Sequence, residues 1–236
     1  MLLSYETSSF SYDNIDLIHG KFIPANRTRF YSNCANNDCT TYVPTSSPVR
    51  IFTNIYGVFA NLTGRFAENY DNLEIPNAVE CVVDPEFIRL NIPKSGVEAI
   101  MEEDNFWKYI QPYPWRMLLM QEIYNICSGE YYLLLPVYDS LQLEDRLIWV
   151  WRHFGSQSKH RTMLMTSETS CLLIKSRNDI FIGADLHICE LWTQQGGSAF
   201  WWPEIDYKCI DPAKILSKRI KLLGRAVSDL KELSTN

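Results

Sequence analysis

Between Glu130 and Ile210 the chain is a succession of short segments in which apolar and polar residues alternate, separated by short turns. Such alternation is typical of half-buried β-strands, because successive side chains of a strand point to opposite faces. Segments with helical periodicity precede this region, and one more follows it. Because short turns favour antiparallel pairing, the order predicts an α+β fold. We expect a largely antiparallel sheet of about six to eight strands, packed by about four helices.

Periodicity and capping residues predict the individual elements. Apolar residues recur at spacings of three and four from Phe52 to Phe66, after a Ser-Pro pair that can cap a helix, so a helix is predicted to begin at Pro48. Further helices are predicted over 95–110, 114–127 and 211–233. Strands are predicted over 21–23, 78–83, 86–92, 130–137, 144–154, 161–166, 171–175, 179–189 and 200–210.

The composition changes near residue 47 and suggests two regions. Residues 1–47 are rich in Ser, Thr, Asn and Tyr, poor in charge and without sustained periodicity, so we expect a polar, loop-rich N-terminal arm. Residues 48–236 are then a single α+β globular domain. With 46% hydrophobic residues, the chain can form a sizeable core.

The charge and the hydropathy of the chain argue against two classes of binding partner, duplex nucleic acid and the membrane interior. The net charge is −6, but the last 26 residues carry +3 and the remainder carries −9. Duplex-binding domains usually present a basic face on a basic domain, so extended duplex nucleic acid is disfavoured as a partner. No apolar run approaches the about 20 residues that span a bilayer. The N-terminus lacks the pattern of a signal peptide, so we expect a cytoplasmic protein without a membrane span.

The number and spacing of the cysteines are also consistent with a cytoplasmic location. There are seven, an odd number, and they are scattered along the chain. Without a signal peptide, this spacing predicts free thiols in a reducing compartment rather than a disulfide framework.

The predicted strand 179–189 holds the sharpest candidate site. On a strand, Asp185, His187 and Cys189 share one face. Cysteine and histidine can act as nucleophile and base while the aspartate orients the imidazole, and the same trio can supply metal ligands. An ordinary solvated strand face accounts equally well for the pattern.

A second arrangement joins Asp185 to Asp206 and Lys208 on the following predicted strand. An acid at the end of one strand, followed by an acid-x-Lys triplet on the next, resembles the layout of many restriction-type nucleases. In that layout two carboxylates hold Mg²⁺ and the lysine steadies the attacking water. This arrangement predicts a metal-dependent nuclease or other hydrolase, with Mg²⁺ as cofactor in that case alone.

The tryptophans suggest a different function. Adjacent strand residues face opposite ways, so Trp201 and Trp202 cannot both enter one core layer. An exposed tryptophan, from this pair or at Trp192, is a candidate binding anchor. Our leading hypothesis is therefore a non-catalytic intracellular interaction or regulatory protein, without a cofactor, that contacts another protein through an aromatic surface. The hydrolase is the alternative.

Overall fold

The computed structural model describes residues 19–25, 48–69, 82–83, 99–136, 142–166, 168–205 and 211–235. The strands are β1 Lys21–Ile23, β2 Arg50–Asn54, β3 Val82–Val83, β4 Tyr131–Pro136, β5 Thr162–Met165, β6 Asp179–Gly183, β7 Ser198–Trp201 and β8 Glu204–Ile205. The α-helices are α1 Leu62–Asn69, α2 Arg116–Ile126, α3 Leu143–Phe154, α4 Leu186–Gln194 and α5 Pro212–Thr235. Residues 99–101 are also helical, and short 3-10 helices cover Trp107–Tyr109, Ser156–Arg161 and Glu168–Leu173.

A mixed, mostly parallel sheet of six strands organises the fold, in the order β1-β7-β6-β2-β4-β5. All neighbouring pairs are parallel except β1 with β7, and β3 pairs with β8 in a separate antiparallel ribbon. Helix α3 connects β4 to β5, and α4 connects β6 to β7. Parallel neighbours require such crossovers, whereas short turns can join only antiparallel strands. The prediction of a largely antiparallel α+β sheet is therefore wrong.

The central strands are buried on both faces. One face packs Ile51, Leu133 and Ile180 against α1, α2, α3 and α5. The other face packs Phe52 and Phe181 against α4 and the 3-10 helix Glu168–Leu173. A strand with helices on both sides is a continuous apolar run rather than an alternating one. This burial explains why the two-residue alternation was a poor guide to the strands of this protein.

The predicted strand 144–154 is instead helix α3. Its inner side buries Trp149 and Val150, while its first turn carries Glu144 and Asp145. Basic residues occupy the last turn. Acids at the start and bases at the end suit the helix dipole, and this charge order was the signal for a helix.

The helix predicted to begin at Pro48 is also wrong in its first half. Arg50–Asn54 is β2, the third strand from the β5 edge of the sheet, and α1 begins only at Leu62. Between them, Gly57 has a φ of +78°, a backbone conformation that favours glycine. The 3-10 helix Glu168–Leu173 takes part of the predicted strand 171–175.

Several predicted elements are confirmed. They are the strands at 21–23, 130–137 and 161–166 and the helices at 114–127 and 211–233, each within a few residues. The predicted strand 86–92 lies outside the described residues, and the domain boundary at residue 47 stays a prediction. No described helix is both long and apolar enough to cross a bilayer. Cys127, Cys171 and Cys189 are free thiols, and the other cysteines lie outside the described residues.

Candidate functional site at the carboxyl edge of the sheet

The strand order reverses beside β2. The chain leaves β2 for β4 on one side of it, and later returns to β6 on the other side. In open parallel sheets, ligands bind outside the carboxyl ends of the strands at such a reversal. Here that position holds Asn54 at the end of β2, Tyr56 just after β2, and Asp185 just after β6. We call these three residues the carboxyl-edge site.

The turns that follow β2 and β6 are in contact. A Cβ atom placed on Gly57 would lie only 2.5 Å from the Cβ of Ala184, the residue before Asp185. On the opposite side, the backbone N–H of Ile55 donates to the carbonyl of Leu134 in β4 at 3.1 Å. These contacts bring the segments that carry Tyr56 and Asp185 to the same place at the end of the central strands.

Asp185 caps a helix rather than lying on a strand. Strand β6 ends at Gly183, and the Asp185 carboxylate accepts a hydrogen bond of 3.2 Å from the backbone N–H of Ile188. Such a cap satisfies one of the four N–H groups that the start of a helix leaves without a partner. The predicted strand 179–189 is therefore wrong beyond Gly183, because the chain turns into α4.

The predicted trio is separated as a result. His187 is exposed, whereas Cys189 is fully buried and its thiol points to the carbonyl of Gly183 at 3.6 Å. Burial raises the pKa of the Cys189 thiol well above its ordinary value, so the thiol stays protonated and is a weak nucleophile. The shared strand face that motivated the Cys-His hypothesis does not exist, and the individual roles of these residues stay predictions.

The tryptophans do not form a surface. Trp192 is buried, donates from its Nε1 to the carbonyl of Asp179 at 3.1 Å, and stacks on Phe181. Trp202 is also buried, with the Arg219 guanidinium 4.7 Å from its ring centroid. Half-buried Trp201 is tied to the carbonyl of Ala184.

Because helices cover both faces of the sheet, these rings pack in the core. The hypothesis of an interaction protein that works through an aromatic surface is therefore wrong.

The remaining members of the hydrolase arrangement are Asp206 and Lys208. Both are outside the described residues. Within the described part of the chain, no group of three or more His, Cys, Asp or Glu side chains is placed to hold a metal ion. A Mg²⁺ site shared by Asp185 and Asp206 therefore stays a prediction.

A buried acid, Glu204, lies under the turn after β2 and was not predicted as a site residue from the sequence. The Glu204 carboxyl accepts hydrogen bonds from the Thr63 hydroxyl at 2.5 Å and from the Tyr113 hydroxyl at 3.0 Å. Burial raises its pKa. A Cβ atom on Gly57 would lie 3.6 Å from its Cδ, so the acid supports this turn from below. Nothing in the local pattern distinguishes Glu204 from an exposed acid, because distant elements bury it.

A buried cation lies on the β4 side of the same edge. Arg146, in the first turn of α3, donates from Nη1 to the carbonyl of Pro136, the last residue of β4, at 2.9 Å. Its Cζ lies 3.7 Å from the ring centroid of Trp107, and the Tyr56 ring lies 5.0 Å from that of Trp107. The Trp107 ring therefore connects Arg146 to the carboxyl-edge site.

Comparison with known proteins gives little further information. No family model matches the chain, and no curated protein matches it. One similar solved structure is a HAD family enzyme from Bacteroides thetaiotaomicron in a magnesium complex. It has 14% sequence identity and a TM-score of 0.38, and the match covers 72% of this chain and 99% of that one. A likeness at this level carries no argument about the activity of this chain.

Proposed function

We propose that the chain is a hydrolase whose site lies at the carboxyl edge of β2 and β6, centred on Asp185. The observation that supports the proposal is the position of this carboxylate. It follows β6 directly, beside the central strand, where the strand order reverses. Open parallel sheets bind their ligands at this position.

The carboxylate of Asp185 is held in place with one oxygen available. Oδ1 accepts the hydrogen bond from Ile188, and this fixes the side chain against the start of α4. In the described part of the chain Oδ2 makes no hydrogen bond, so it can accept a proton from a water molecule that attacks a bound ester. Asp206 and Lys208 complete the proposed arrangement. If they come beside Asp185, two carboxylates and a lysine suit Mg²⁺ and an attacking water.

The test measures hydrolysis by the full chain. Nitrophenyl phosphate, bis-nitrophenyl phosphate and nitrophenyl acetate report three ester classes, each with and without Mg²⁺ or Mn²⁺. The variant Asp185→Asn retains an acceptor for the helix cap but lacks the negative charge. We expect it to lose turnover by about two orders of magnitude or more, as for a general base.

A matched control is Glu190→Gln, because Glu190 is an exposed acid on the same helix α4. This variant should retain full activity. Full activity in Asp185→Asn, or no hydrolysis of any ester by the wild type, would refute the proposal.

A second candidate function is ligand binding without turnover, and the side chains at the end of the central strand favour it. Asn54 and Tyr56 are neutral, so the end of β2 and the turn after it contribute hydrogen-bonding groups but no carboxylate. Substrate analogues that raise the melting temperature of the wild type without any measurable hydrolysis would support this function instead.

A further inference from the structure

Arg146 is a buried charge for which the described residues provide no counter-charge. Its side chain belongs to a residue only 3% exposed, and its Nε is buried without a hydrogen-bond partner. Among the described residues, no carboxylate forms an ion pair with it. A guanidinium offers five N–H donors, and the carbonyl of Pro136 satisfies one of them. Buried charges are normally paired, so the described part of the chain leaves this cation without a partner that proteins usually provide.

The contacts of Arg146 hold its guanidinium in one orientation, at the end of β4. The guanidinium lies over the Trp107 ring, and its hydrogen bond to the carbonyl of Pro136 holds it at the end of β4. Stacking on an aromatic ring leaves the edges of a guanidinium for hydrogen bonds. Tyr56 contacts the same tryptophan from the carboxyl-edge site. A single aromatic ring, that of Trp107, therefore separates the cation from Tyr56 of the carboxyl-edge site.

We propose that Arg146 binds an oxyanion group of the ligand, a phosphate or a carboxylate. A planar guanidinium can donate two parallel hydrogen bonds to either group, and the negative charge of the bound group would neutralise the buried cation. This inference depends on the proposed function for the location of the ligand alone. It requires no hydrolysis, and it restricts the substrate to an anionic ester or a similar acid.

The test follows melting temperature as sodium phosphate or sodium acetate is added at constant ionic strength, with sodium chloride as the reference salt. A ligand that binds the native state raises the melting temperature with the logarithm of its concentration. We expect such a rise for the wild type with at least one of the two oxyanions. The preferred anion then identifies the group as phosphate or carboxylate. No rise with either anion overturns the inference, whatever the variants do.

Substitution of Arg146 assigns the effect to this side chain. Arg146→Met should abolish the rise, and Arg146→Lys should weaken anion binding about tenfold because the bidentate geometry is lost. Without added anion, Arg146→Met should melt at or above the wild-type temperature, because a buried unpaired charge has been removed. An unchanged anion response in Arg146→Met or Arg146→Lys would overturn the inference.

Arg65→Met is the matched control. Arg65 also lies over an aromatic ring, at 5.6 Å from the Phe106 centroid, but it is paired with Glu68. Its substitution should leave the anion response intact, and loss of the response in this variant as well would contradict a specific role for Arg146. The two proposals fail separately. Anion binding without ester hydrolysis refutes the hydrolase alone, and hydrolysis that depends on Asp185 without an anion response refutes the inference alone.

Discussion

The two edges of the sheet differ in whether the described residues provide a buried charge with an oppositely charged partner. At the amino edge, the Asp179 carboxylate receives two hydrogen bonds of 2.7 Å from Arg50. The backbone N–H groups of Lys175 and Ser176 add bonds of 2.6 and 2.8 Å to the same carboxylate. At the carboxyl edge, Arg146 has no such carboxylate among the described residues.

The difference separates a charge that stabilises the sheet from a charge that we propose to bind a ligand. Arg50 and Asp179 are register partners in β2 and β6, so their ion pair fixes the alignment of the two strands. Both carboxylate oxygens of Asp179 accept hydrogen bonds from within the chain, which leaves little for a ligand to gain. The carboxyl edge has charge that a ligand can neutralise. Proteins place unpaired buried charge at functional sites, because elsewhere it only lowers stability.

The largest expected effect is at the amino edge. Asp179→Ala removes one partner of a buried ion pair and leaves Arg50 and two backbone N–H groups without their acceptor. We expect the free energy of unfolding to fall by about 3–5 kcal/mol, measured by urea denaturation. Glu68→Ala, which breaks an exposed ion pair with Arg65, should change it by about 0.5 kcal/mol or less. A loss at Asp179 as small as that would mean that the two edges do not differ in this respect.

An intermediate effect on the free energy of unfolding, which depends on pH, is expected from Glu204. Because burial raises the pKa of its carboxyl, the folded protein binds this proton more tightly than the unfolded chain does. The acid therefore contributes most stability below its unfolded pKa, and this contribution falls as the pH rises through its folded pKa.

Glu204→Gln cannot titrate, so it provides the reference. The free energy of unfolding of the wild type, relative to this variant, should decrease with pH by an amount on the scale of one hydrogen bond, about 1 kcal/mol. Urea denaturation over a pH series measures the difference. A wild type that instead gains stability over the variant as the pH rises would show that the buried carboxyl is ionised at little cost.

An effect on stability no larger than that at Glu204 is expected at Asp185. Asp185→Ala removes the cap of α4 and should lower the free energy of unfolding by about 1 kcal/mol, whereas Asp185→Asn should lower it by less because asparagine caps well. Thermal melts with both variants measure this difference. Equal destabilisation by alanine and asparagine would mean that the charge, rather than the hydrogen bond to Ile188, stabilises the helix.

Elements with a single buried face could be predicted from the sequence. Helices α2 and α5 each bury one side, so their apolar residues recur at helical spacing in the sequence. Strand β4 was also found, as an apolar run of the right length. The errors include β2, which is buried on both faces, and α3, in which the charged Arg146 occupies a buried position.

The candidate site was predicted only in part. Asp185 was selected because it shares a face of a predicted strand with His187 and Cys189. The structure places it at the reversal of strand order, but as a helix cap. Glu204 and Arg146 were missed because their neighbours in the sequence do not bury them. Thr63, Tyr113 and Trp107 provide that burial from distant segments.

The sequence by itself determined the features that depend on near neighbours along the chain. These are the amphipathic helices, the apolar strand segments, the absence of a long apolar run and the acidic body. Only the tertiary structure decided that the strands run parallel and that the tryptophans are buried. It alone also decided that one buried charge is paired, whereas another has no carboxylate partner among the described residues. The physical reason is that the pairing of strands and the burial of charge depend on residues far apart in the chain, such as Arg50 and Asp179.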